Sequence, residues 1–245
     1  VAAASFCSFL LLWEGTVRFF KIEAWLLPAP TAVLAALGEG WPLFWKHTFV
    51  TLYESLMGFV LAVALALALA LTMDALPLVR RALYPLLVTT QTIPIISVAP
   101  LFLIWFGYGL LPKVLVVVLV CFFPVAVSLL ESLAAVDPDL IDLLRSMGAG
   151  RMARLRLVKL PAALPGLFSG LKIAATYSIM GAVIGEWLGA QAGLGYYMTL
   201  SQRSFATPRV FAVIVIITVL SLALFKVIEL AEYFAMPWQR LRSEE

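Results

Sequence analysis

The sequence predicts an all-α, polytopic membrane protein of roughly six spanning helices, and three observations carry that prediction. Of its 245 residues 63% are hydrophobic and 13% charged, with a mean hydropathy of +1.04, far from the balance of a soluble domain of this length. The apolar residues gather into runs that reach the roughly 20 residues, at about 1.5 Å each, that a hydrocarbon core requires. No stretch alternates apolar and polar residues over enough segments for a β-barrel, and no internal repeat stands out. Residues 1–245 therefore read as a single transmembrane domain.

The runs fall at 3–20, 49–73, 83–106, 111–133, 164–188 and 210–234. The first lacks the basic n-region and small-residue cleavage site of a signal peptide, so it reads as a membrane helix. Residues 21–47 follow as an external segment punctuated by Pro28, Pro30 and Pro42. Within it 31–37 fits a short helix lying in the interface, with Trp25, Trp41 and Trp45 at headgroup depth. His47 is the only histidine, and a lone interfacial histidine is far more often structural or solvated than a ligand. Glu14 and Glu54 fall within spans. Glu54 is either wet or paired with a basic group that the sequence does not identify.

The third run, TTQTIPIISVAPLFLIWFG, places Gln91, Thr92 and Ser97 at membrane depth, and Pro94 and Pro100 each delete a backbone hydrogen bond. These groups line a translocation pathway, or the threonines bond back to their own helix and the prolines merely kink it. In the fifth run Gly166 and Gly170, then Gly181, Gly185 and Gly189, repeat as small residues four apart, a spacing that lets a second helix approach closely. Tyr177, Ser178 and Glu186 lie on the same helix as further pathway candidates. Glu186, close to its outer end, reads equally as a solvated group. Lys226 and Glu229 on the last run are an i, i+3 pair near the inner end.

Residues 136–165, VDPDLIDLLRSMGAGRMARLRLVKLPAALP, form the long polar interruption of the chain and carry Arg145, Arg151, Arg154, Arg156 and Lys159. A short helix is written there with both ends: Asp137 as N-cap, Pro138 at the first helical position, Asp139 and Asp142 in the first turn, and Gly148 as the stop. Leu140, Leu143, Leu144 and Met147 make one apolar stripe on it, and a helix this short needs that stripe buried against something. This stretch resembles, without a gap, the signature of the membrane subunits of binding-protein-dependent ABC importers: E-A-A, three residues, G, nine residues, I-x-L-P. Asp142, Leu143 and Leu144 stand at E-A-A, Gly148 at the glycine, and Val158, Leu160 and Pro161 in the tail. Leucines replace the two alanines, which bears only on fine packing.

The resemblance implies a type I ABC importer permease fold in which 137–148 is a cytoplasmic coupling helix. Asp137, Leu140, Asp142, Leu143, Leu144, Met147 and Gly148 would then dock into a separate ATPase. It implies an ATPase dimer carrying ATP and Mg, an external substrate-binding protein, a second copy of the permease, and no cofactor on this chain. In that arrangement the glycine stripe meets either a helix of the same chain or its symmetry mate. The LLPAPTAVLAAL, APLFLIWFGYGLLPK and FSGLKIAATYSIMGAVIGEWLGAQAGLG runs resemble the nitrate, sulfonate, taurine and vitamin-precursor branch, most of all permeases for the pyrimidine precursor of thiamine, with nitrate, taurine and alkanesulfonate importers as alternatives.

A cytoplasmic anchor loop puts Arg80, Arg81, Arg145, Arg151, Arg154, Arg156, Lys159, Arg240 and Arg242 on the cytoplasmic side of the inner membrane and Arg18, Lys21, Lys46, Lys113, Arg203 and Arg209 on the outer side, with both termini cytoplasmic. The net charge of +3 thus orients a membrane protein and does not argue for nucleic acid. Cys7 and Cys121 lie in apolar runs, which speaks against a disulfide framework or a metal site. The sequence holds no phosphate loop, H-E-x-x-H or G-x-S-x-G motif, so an enzyme is not expected. A secondary transporter working without ATP is the rival class; it would use the broken third span and give the loop stripe no role.

Overall fold

The computed structural model describes residues 2–240, and among these every regular element is a helix. Val1 and Arg242 lie outside the described residues. In order come α1 (Ala2–Phe19), α2 (Pro30–Ala75), α3 (Pro77–Thr90), α4 (Ile95–Phe106), α5 (Leu110–Ala134) and α6 (Pro138–Ser146). Next, α7 (Arg151–Arg154), a π-helical turn (Leu155–Lys159) and α8 (Leu160–Trp187) run on as one rod of 37 residues. The chain continues with α9 (Leu194–Arg203), α10 (Thr207–Ala235) and α11 (Pro237–Arg240).

The core is built on three helices. α2 and α5 run parallel: Gly58 sits against Val114 and Val117, while Ala70 and Met73 cluster with Leu129, Leu130 and Leu133. α8 runs antiparallel to α5 and lies almost on its backbone. A Cβ at Gly181 would stand 3.1 Å from the Val117 Cα and one at Gly185 3.0 Å from the Lys113 Cα, and Gly166 and Gly170 sit against Ser132 and Ser128. Of the two partners open to the glycine stripe, all five residues meet the same chain: these four meet α5, and Gly189 meets Leu103 of α4 and Tyr108 just after it. Without a hydrophobic force between helices in lipid, close dispersion contact of this kind is what holds them.

Three expectations need correction. The span expected at 83–106 is two helices meeting at 100°, not one kinked helix. Pro94 lacks an N–H and keeps the residue before it out of the helical region, so α3 stops and α4 restarts, with Pro94 extended at its N-cap. Pro100, by contrast, stays inside α4. Because α2 and α5 are parallel, the bent pair has to travel from the end of α2 beside α6, termed inner as a label only, to the opposite, outer end of α5, and it therefore crosses. Val79, Leu83 and Tyr84 pack in the inner cluster with Met73, Leu87 joins Ala62, Ala66 and Cys121, and Ala99 packs on Val116 and Ile184. The break at 91–94 consequently stands at the middle depth of the bundle.

Second, the short interfacial helix at 31–37 and the span at 49–73 are one helix of 46 residues, with Pro42 inside it. Pro30 at its first position and the Glu14 carboxylate secure its start: Thr31 donates to Glu14 from its backbone N–H at 3.0 Å and from its hydroxyl at 2.8 Å. Third, the six expected runs differ in strength: among the described residues four helices are long and apolar enough to cross a membrane, or five with the bent pair. The sixth expected span is present as α1, but its 18 residues include Glu14 and Arg18, bridged at 2.5 Å, and it falls outside that set.

Candidate functional site

Two places concentrate the polar chemistry, one at each end of the three-helix core. At the inner end, α6 is a helix of nine residues held at both ends by its own loop. The Asp137 carboxylate accepts the Asp139 N–H at 2.9 Å, an N-cap on a helix opened by Pro138. At the other end the Gly148 N–H donates to Arg145 O at 3.0 Å and the Ala149 N–H to Leu144 O at 2.9 Å, the paired closure that needs a left-handed residue between them. Gly148 supplies it with φ of +81°. The stop that the sequence assigned to Gly148 is thus a Schellman motif.

No residue of α6 is buried within the chain. Leu140 is 48% exposed, Leu143 57% and Met147 74%, Asp142 is exposed, and Leu144 and Ile141 are half-buried. Three large apolar side chains held on one face by a locked helix form a surface that another protein can cover.

At the outer end, where α8 turns into α9, the side chains are buried and interlocked. Glu186 is 1% exposed, and both of its carboxylate oxygens are occupied: the Thr51 hydroxyl donates to Oε1 at 2.6 Å and the Gly195 N–H to Oε2 at 2.5 Å. Thr51 Oγ1 in turn accepts the Leu194 N–H at 2.8 Å, and His47 Nδ1 accepts the Gly193 N–H at 3.0 Å. His47 also stacks on Tyr197, with ring centroids 5.2 Å apart. The result is that the first N–H groups of α9, orphaned by helix geometry, find acceptors on α2 and α8. Gly193 sits at φ +114° with its α-carbon against the Glu186 carboxyl, a position no side chain could share. The partner of Glu54 is Lys113, 59 residues along the chain, and Glu186 is their near neighbour.

The remaining pathway candidates separate. Gln91, Thr92 and Ser97 are exposed beside the mid-depth break, with the Thr92 hydroxyl donating back to Thr89 O at 2.8 Å. Tyr177 is exposed on α8, where Ile173 and Met180 share its face. Ser178 is buried and bonds back to Ala175 O at 2.8 Å. Ser178 and Glu186 thus face packed protein rather than an open face, because α8 turns the side opposite Tyr177 toward α5 and α9. Sequence reading missed the alliance of His47, Thr51 and Glu186 with the Gly193 to Gly195 turn, and the pairing of Lys113 with Glu54. The signal present was a glycine pair directly before an amphipathic stretch, next to an intramembrane glutamate.

The family described as binding-protein-dependent transport system inner membrane component matches residues 58–232. The formylaminopyrimidine transport permease protein ThiX of Halalkalibacterium halodurans is 36% identical over 236 residues, covering 96% of this chain and 94% of that protein. The riboflavin transport system permease protein RibX of Chloroflexus aurantiacus is 35% identical over 234 residues, 94% of this chain and 87% of that one. A solved structure of an amino acid ABC transporter has the same fold, with a TM-score of 0.65 at 20% identity over 81% of this chain and 96% of its own.

Proposed function

The chain belongs to the family of binding-protein-dependent transport system inner membrane components, and from that premise we propose that it forms a homodimeric import pathway for a neutral heteroaromatic vitamin precursor of the formylaminopyrimidine kind. It is an ABC importer permease, a non-catalytic multi-pass subunit of the inner membrane, and ATP is bound by a separate ATPase subunit. The coupling helix is α6. Closure of two ATPase subunits around ATP draws two copies of α6 together and rocks the membrane halves from inward- to outward-facing, while an external binding protein delivers substrate near 191–207. Both chain ends lie on the cytoplasmic side.

The single observation that carries this reading is the locked helix α6 with Leu140, Leu143 and Met147 exposed on it. A capped helix with an uncovered apolar face is a fitting for a partner's groove, and an ATP-independent transporter has no use for one. Gln91 supplies the pathway wall, with Thr92 beside it. Gln91 is polar, exposed and at mid-depth, where lipid would leave its amide unsatisfied, so it faces water or a second copy, whereas the Thr92 hydroxyl bonds back to Thr89 O. The broken helix beside them is the geometry in which membrane transporters expose backbone to a substrate. Gln91, Thr92, Ser97 and Tyr177 are uncharged, which suits a neutral passenger better than an anion.

The test reconstitutes the permease with its ATPase and binding protein and measures ATP hydrolysis. Leu143→Asp abolishes stimulation by loaded binding protein while the complex still folds, and normal stimulation would refute the docking assignment. Loading with formylaminopyrimidine stimulates hydrolysis and loading with taurine does not. The reverse result would move the chain to the sulfonate branch while leaving its class intact.

A further inference from the structure

Behind the coupling helix, a cavity of about 240 Å³ opens between the inner end of α2, α6 and the first turns of the α7–α8 rod. Asp74, Ile141, Arg151, Arg154, Leu155 and Lys159 line it. Three cations therefore face one carboxylate. Lys159 takes that carboxylate, at 2.6 Å from Asp74 Oδ1, and Arg151 reaches only the Asp74 backbone oxygen, at 3.5 Å. Arg154 is left over: its Nε is buried and has no hydrogen-bond partner among the described residues. A buried donor of a charged group without an acceptor is costly and calls for an explanation.

The backbone contributes to the same place. Eight residues of regular α-helix would carry Lys159 about 80° past Arg151. The π-helical turn at Leu155–Lys159 slows that advance, and Lys159 stays on the cavity with Arg151, Arg154 and Leu155. The rod begins at Arg151, so the positive end of a 37-residue helix stands at the cavity as well. Room, two surplus positive charges, a guanidinium with an unpartnered buried Nε and a helix start all favour one kind of occupant. With water occupying about 30 Å³ in the liquid, the cavity takes a tetrahedral anion and several waters.

We propose that this cavity binds a phosphate group, presented by an anionic phospholipid of the cytoplasmic leaflet, with Arg154 and Arg151 as its charge-assisted donors. A basic pocket between membrane helices on the cytoplasmic side is where such headgroups are held. The site lies beside the coupling helix but is distinct from its docking face, since Leu140, Leu143 and Met147 do not line it. Its readout is bound lipid and is independent of transport.

The experiment purifies the complete transporter from bilayers of phosphatidylcholine with phosphatidylglycerol and counts retained phosphatidylglycerol by native mass spectrometry. The wild-type complex retains it, and Arg154→Gln lowers retention about tenfold, the scale of one charge-assisted bond. Arg151→Gln, made in case the first variant does not assemble, lowers it in the same direction. Arg80→Gln, at the same membrane face but off the cavity, leaves retention unchanged. Inorganic phosphate added to complexes in phosphatidylcholine alone separates the two sources: an Arg154-dependent association with phosphate that displaces phosphatidylglycerol would make the ligand a soluble anion and overturn the lipid assignment. Equal retention in wild type, Arg154→Gln and Arg151→Gln overturns the site. So does loss of the ATPase from Arg154→Gln with lipid retention intact, because the cavity would then belong to the subunit interface.

Discussion

The two ends of the bundle hold their short helices by opposite means. At the inner end α6 is tied by bonds within its own loop, from Asp137 to Asp139 and from Gly148 and Ala149 back to Arg145 and Leu144. At the outer end α9 is tied by bonds that span 143 and 146 residues of sequence, from Leu194 and Gly193 to Thr51 and His47. The inner helix has its two ends fixed by its own loop, is backed by Ile141 and Leu144, and leaves Leu140, Leu143 and Met147 uncovered. The outer one has its shape only because three helices agree on it. The helix proposed to dock on a partner is held by its own loop, and the helix at the opposite end is held by the core.

The contrast can be broken by substitution, and the largest effect is expected outside. Lys113→Met leaves Glu54 and its neighbour Glu186 buried without a counter-charge and costs about 3–5 kcal/mol of stability in denaturant unfolding of the detergent-purified permease. The double variant Lys113→Met, Glu54→Leu costs less than the single one, and an equal or greater cost would mean that the pair itself stabilises. Thr51→Val strands the Leu194 N–H and withdraws a donor from Glu186, for about 1–3 kcal/mol by the same measurement.

The inner end should respond differently. Asp137→Ala removes the cap of α6 and costs about 1 kcal/mol. That cost appears as faster amide exchange across α6, with global unfolding unmoved, because the loop opens by itself. A shift of global unfolding would show that α6 is part of the core after all. Leu140→Asn is the smallest, within about 0.5 kcal/mol in stability, yet it removes most of the ATPase stimulation by loaded binding protein. Unaltered stimulation would remove Leu140 from the docking face.

What was legible in the sequence follows the same division. The ends of α6 could be read residue by residue, since a cap, an opening proline and a stop glycine act on their immediate neighbours. The existence of the long helices was legible from apolar length alone. The 100° turn at 91–94 was not: Pro94 announces a disturbance, but whether a helix kinks or restarts depends on what receives Leu87 on one side and Ala99 on the other. The pairing of Glu54 with Lys113 was hidden because it is set by the register of α2 against α5. Pro42 misled in the other direction, as a proline that ends a helix elsewhere sits inside one here.

That uninterrupted helix has a mechanical meaning. His47, at the α9 turn, and Asp74, beside the Arg151 and Lys159 cations, are 27 positions apart on one rod, or about 40 Å. With no joint between them, pivoting about the outer end by about 5° swings Asp74 through about 3.5 Å, on that length. On the coupling role proposed for α6, the helix would serve as a lever arm whose fulcrum is the corner at Glu186 and whose other end, at Asp74, lies beside the coupling loop.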